Sequence, residues 1–183
     1  MIHVRQSQWE TNSSTMNQII IHSGDRLYGG DTIILHTNLP YKEGDMVNNT
    51  AEKVCIVYSM ILEIMYEYEH ASEEEKHDEK FICIHNGQYF MDMLMSVLKK
   101  YNCKLFRDTS EYWNDELFEL DNFGLSGISE SVLKLFENEE TLANFLFDNQ
   151  SWFVFGITNL WPDNDDLGYT GAKVTDKHKV IFI

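Results

Sequence analysis

The chain has 183 residues, 43% hydrophobic and 13% aromatic, which is enough apolar material for a sizeable core in one domain. Its 30 acidic residues outnumber 14 basic ones, and the formal charge of −16 opposes a phosphate backbone, so direct nucleic-acid binding is disfavoured. No apolar run approaches the roughly eighteen residues of a membrane span, no leader pattern opens the sequence, and Cys55, Cys83 and Cys103, each set among apolar neighbours, read as buried thiols in a reducing cytoplasm.

In chain order, Ile2 and Val4 alternate with His3 and Arg5, and Ile19-Ile20-Ile21 is a β-branched run, which predicts a strand-loop-strand unit. Between them lies Glu10-Thr11-Asn12-Ser13-Ser14-Thr15. Small polar side chains in succession compete for backbone amides at short range, so this stretch is a turn. Its functional reading is a cradle of amides and hydroxyls for an anion, with Arg5 as counter-charge and Glu10 as acid or base. Its structural reading is a self-bonded corner, favoured by the lack of glycine and lysine within the turn. Beyond it, Ser23-Gly24-Asp25 and Gly29-Gly30-Asp31 mark turns, and Thr32 to Thr37 is a further strand. Gly29-Gly30 has no following lysine and reads as a hairpin turn rather than a phosphate loop.

The opening Arg5-x-Ser7-x-Trp9-Glu10-Thr11-Asn12-Ser13-Ser14-Thr15 resembles that of small proteins from phages and mobile elements, which read R-x-S-x-F-E-T-N-S-S-S-x-H. The likeness covers about the first twenty residues. It departs from the pattern at Trp9, at Thr15 for the third serine, and at Asn17 where the histidine falls. The resemblance implies a phage or mobile-element source acting in a host cell, and among acidic proteins of this size and source it points to anti-CRISPR inhibitors.

Asn49 or Thr50 caps a helix predicted to run to Glu69, with Val54, Tyr58, Ile61, Met65 and Tyr68 at three- and four-residue spacing. Cys55, Val57, Leu62 and Ile64 widen that stripe, so this is the expected central buried helix. His70 to Glu79 is acidic and without apolar period, a solvated, mobile loop rather than a metal site at His70 and His77. Phe81 to His85 reads as a buried strand, Gln88 to Tyr101 as a helix with Met91, Met93 and Met95 as core filling, and Cys103 to Phe106 as a strand, together a small βαβ unit.

From Asp108 to Gln150 eleven carboxylates face one basic residue, Lys134, with Tyr112, Trp113, Leu117, Phe118 and Phe123 interleaved. Ser129 and Asn138 cap two short helices in this acidic helical subregion. Trp152 to Thr158 and Lys173 to Ile183 are the closing strands, and the apolar end Val180-Ile181-Phe182-Ile183 needs cover from a homodimer partner or from its own sheet. Asp163 to Gly168 fails as a calcium loop because Leu167 and Val174 stand where ligands are required. The fold class is therefore α+β, one domain over 1–183, with a mixed or antiparallel sheet of about six strands packed on the central helix and several shorter ones.

No dinucleotide fingerprint, P-loop, nucleophile elbow, zinc motif or CxxC is present, and no cofactor or metal is expected. Two functions compete. One is a non-enzymatic inhibitor that engages a basic nucleic-acid-binding protein, such as a type II CRISPR effector nuclease, through Glu111, Asp115, Glu116, Glu119, Asp121, Glu139 and Glu140, whose carboxylates imitate a phosphate array. The other is a small hydrolase or phosphoryl-transfer enzyme built on Arg5, Glu10, Thr11, Asn12, Ser13 and Ser14, joined by His22, His36 or His85. The first is the preferred reading.

Overall fold

A computed structural model describes residues 16–23, 27–35, 44–107, 130–157 and 177–182. The chain is α+β. Six strands are found among these residues: β1 (Met16–His22), β2 (Thr32–Leu35), β3 (Met46–Val47), β4 (Lys104–Arg107), β5 (Trp152–Ile157) and β6 (His178–Phe182). Four α-helices accompany them: α1 (Thr50–His70), α2 (Glu79–Ile84), α3 (Gly87–Lys100) and α4 (Glu139–Phe147).

β1 is an inner strand of an antiparallel sheet in the order β3-β5-β1-β6, pairing Ile19 with Phe153 of β5 and Ile20 with Val180 of β6. Asn17 through Ile21 are all buried, which is why the run shows no polar alternation. The Gln18 side chain is enclosed there with neither amide atom hydrogen-bonded. Within the apolar closing run β6 pairs with β1, and Ile181 is buried in that sheet.

β2 and β4 form a separate parallel pair, Ile33 opposite Leu105 and Ile34 opposite Phe106. This corrects two expectations. β2 is not the second arm of a Gly29-Gly30 hairpin, and the parallel partner of β4 is β2 rather than a strand at Phe81 to His85. Gly29 instead allows close approach: a Cβ there would lie 2.2 Å from the Tyr101 carbonyl oxygen.

α1 begins at Asn49, whose side-chain oxygen accepts from the Ala51 and Glu52 amides. Its buried residues include Val54, Cys55, Ile56, Val57, Met60, Ile61 and Ile64, and it packs on α3, α4 and β2. α3 buries Phe90, Met93, Leu94, Val97 and Leu98 on one stripe, while Met95 faces outward. Phe90 stacks on Phe136 with centroids 4.4 Å apart, and Tyr101 on Phe147 at the same distance. These contacts join both sheets and α1, α3 and α4 in a common core.

Phe81 to His85 is helical, not a buried strand. Asp78 accepts from the Lys80 and Phe81 amides and so starts α2, whose residues stay partly exposed. Cys83 is exposed on it, against the expectation for all three thiols; Cys55 is buried and Cys103 half-buried. The preceding acidic run is exposed as expected, yet it is locally built: Ser72 and Glu75 form a reciprocal cap and a 3-10 turn covers Glu75–His77. Asn138 caps α4 through the Thr141 amide, as its position predicts. The first arm of the expected N-terminal unit, the Asp163 to Gly168 loop and the Ser129 cap lie outside the described residues.

Candidate functional site

The last turns of α1, α2 at Ile82 and its C-cap, and the start of α3 line an open groove of about 300 Å³. α1 contributes Met65, Tyr68 and Glu69, α2 contributes Ile82 and its C-cap His85, and Asn86 to Gln88 close the end. A Cβ at position 87 would come within 2.2 Å of Met65 Cγ, so any larger residue there requires Met65 to move. That absence of side chain lets α3 begin directly on α1.

Three rings form a column beside the groove. Tyr68 stacks on Phe81 with centroids 6.2 Å apart, and Phe81 on His85 at 3.9 Å. His85 is held at both nitrogens, by the Phe81 carbonyl at Nδ1 (2.9 Å) and the Glu67 carboxylate at Nε2 (2.8 Å). Asn86 caps α3 at the Tyr89 amide, and Gln88 donates to Asp92. The carboxylate of Glu69 has no hydrogen-bond or ion-pair partner among the described residues; only its main-chain carbonyl is engaged, by Lys76 Nζ. Apolar side chains remain open to solvent here, Tyr68 at 37%, Ile82 at 40% and nearby Tyr89 at 50%.

The electrostatics are one-sided. Residues 67–80 carry seven carboxylates against two lysines. The Ser72 hydroxyl and then its amide hold the Glu75 carboxyl below its ordinary pKa, so it is charged at neutral pH. Glu73 lies 3.6 Å from Lys76, an exposed pair of small energetic weight.

A second polar cluster is buried between β1, α1 and the α4–β5 turn. Lys53 Nζ donates to the carbonyls of Asp148 (2.8 Å) and Ser151 (3.2 Å) and lies 5.5 Å from the Phe145 ring centre. Burial lowers its pKa to about 7, opposed by the nearby Asp148 carboxylate. His22 Nδ1 meets Asp148 Oδ2 at 2.8 Å, and its ring lies 4.8 Å from that of His178. The serine hydroxyl is committed to main chain, donating to Asn144 O and accepting from His22 N, so it is not aligned as a nucleophile on the imidazole. This cluster pins three elements together.

Of the residues expected to carry the site, Glu111, Asp115, Glu116, Glu119 and Asp121 lie outside the described residues, as do Arg5, Glu10, Thr11, Asn12, Ser13, Ser14 and His36. Glu139 and Glu140 stand in the first turn of α4, where carboxylates favour the helix dipole. Glu139 accepts from Ser96 Oγ at 2.6 Å with Lys100 Nζ at 3.8 Å, so it ties α4 to α3, while Glu140 is exposed. Asn17, standing where the related histidine falls, is buried in β1.

The groove was not foreseen from the sequence, although Ser72-x-x-Glu75, Asp78 and Asn86 are cap signals that would have turned the supposed loop and strand into a turn and a helix. Among the described residues no group of three or more His, Cys, Asp or Glu side chains is placed to hold a metal, and no helix is long and apolar enough to cross a membrane. No protein family, curated protein or solved structure matches the chain.

Proposed function

We propose that the chain is a non-enzymatic binding protein, an inhibitor of phage or mobile-element origin, that engages a basic nucleic-acid-binding protein through acidic surface. The observation that carries the reading is the end of α1 with α2, where residues 67–80 hold seven carboxylates and Tyr68, Ile82 and, at the start of α3, Tyr89 are exposed. Charge of one sign steers a basic partner into encounter, and apolar rings within the charged field supply the anchors that charge alone does not. The net charge of −16 and the opening Arg5 to Thr15 pattern add support, and the latter makes a type II CRISPR effector nuclease the leading partner.

The test is capture from cells expressing defence nucleases by the wild-type chain and two charge-neutralised forms. One form carries Glu69→Gln, Glu73→Gln and Glu74→Gln; the other carries Asp115→Asn, Glu116→Gln and Glu119→Gln. The wild type is expected to retain a nucleic-acid-binding protein, less of it as salt shortens the Debye length below about 8 Å, and at least one neutralised form is expected to lose it. Capture of no such protein, or capture by both neutralised forms as strong as by the wild type at low salt, overturns the proposal.

A further inference from the structure

We infer that the groove between α1, α2 and α3 is an arginine-binding subsite, which takes the side chain of an arginine on an exposed segment of the partner protein; this rests on the function proposed above and specifies where its contact is made. The groove is lined on its apolar side by Met65 and Ile82, which suits the aliphatic stem of a long cationic side chain. Its polar groups are nearly all spent on the protein itself: His85 on Glu67 and the Phe81 carbonyl, Asn86 on the start of α3, Gln88 on Asp92. Glu69 is the exception. Glu69 lines the groove and its exposed side chain has no partner among the described residues, in a segment rich in negative charge, and the complementary group is a cation.

The ring column selects among cations. Tyr68, Phe81 and His85 are stacked in series, and Tyr68 and His85, its two ends, both line the groove, Tyr68 with its ring exposed. A planar guanidinium continues such a stack while pairing with a carboxylate through two parallel N–H bonds, whereas an ammonium is a compact, strongly hydrated point charge that does neither as well. An uncharged apolar anchor leaves the Glu69 charge without a complement, so the acidic rim gives it no advantage.

The experiment titrates the full chain with three capped peptides, identical except for arginine, lysine or citrulline at the centre, and follows the methyl resonances of Met65 and Ile82. Arginine is expected to shift both in a saturable way, lysine more weakly, and citrulline not at all. Glu69→Gln, an exposed change that spares the fold, should weaken the arginine peptide roughly tenfold, and Tyr68→Leu should erase the preference for arginine over lysine. Shifts that are equal for citrulline, or unchanged by Glu69→Gln, overturn the inference. The two proposals fail separately: if a basic protein is captured equally by wild type and the single variant Glu69→Gln, the groove assignment falls and the inhibitor reading stands; if the arginine peptide binds as described and no nucleic-acid-binding protein is captured, the reverse holds.

Discussion

Replacing Lys53 with methionine removes an ionisable amine from the core while keeping most of its aliphatic stem. The amine is fully buried, and burial lowers its pKa from 10.5 to about 7 against the pull of Asp148. The unfolded chain retains the ordinary value. Below pH 7 both states are protonated and the contribution is flat; between about 7 and 10.5 the unfolded state holds a proton that the folded state has released, so stability rises with pH across that window. The slope reaches about 1.4 kcal/mol per pH unit, and integration from pH 7 to pH 9 gives a gain of about 2 kcal/mol. Lys53→Met also strips the Asp148 and Ser151 carbonyls of their donor, a loss of about 1–3 kcal/mol that does not vary with pH. Urea denaturation of both proteins at pH 7, 8 and 9 separates the two effects, because every other titrating group cancels in the difference between them. The wild type should gain about 2 kcal/mol on the variant over that range. Identical pH profiles would refute the account of a buried, pKa-lowered amine.

Asp148→Ala should destabilise by about 2–4 kcal/mol at pH 7, because it orphans the buried His22 imidazole and removes the acceptor that holds the Gln150 amide in the turn; a loss below about 1 kcal/mol in urea unfolding would contradict this. Gln18→Met should stabilise by about 1 kcal/mol, since it replaces a buried amide without hydrogen bonds by a side chain of similar shape, and a lower melting temperature in calorimetry would show that the amide is satisfied. Gly29→Ala should cost about 1–3 kcal/mol by forcing apart the segment before β2 and the Tyr101 carbonyl, and a neutral effect in thermal unfolding would remove that contact from the fold.

The parts legible in the sequence are those written by neighbours in the chain. α1 could be read because its apolar residues recur at helical spacing behind a capping asparagine, and α4 because Asn138 precedes it. Phe81 to Ile84 has four residues without a period long enough to separate helix from strand, and what decided it was Asp78, three residues upstream of Phe81. The β2–β4 pairing had no local signal, because the strands are brought together by the packing of α1 and α3 rather than by a turn. The site divides the same way. Its negative charge is plain in residues 67–80, but its groove depends on Gly87 meeting Met65 and on Glu67 meeting His85, contacts between different helices. Lys53 stands in the sequence as a lysine beside Val54, Cys55 and Ile56, and its acceptors are main-chain oxygens at 148 and 151, which leave no mark in residue identity.

The antiparallel sheet also sets the order in which the nascent chain can mature. β1 lies between β5 and β6, and Ile20 must await Val180 as its partner. At roughly 5–20 residues per second, about 10–30 s of translation separate the two. For most of that interval, until β5 is made, Ile19-Ile20-Ile21 is a synthesised strand with neither neighbour available, an adhesive apolar segment among other emerging polypeptides. Slowing elongation lengthens the exposure, so recovery of folded protein from an expressing cell depends on ribosome speed and on holdase chaperones more than the final stability of the sheet would indicate.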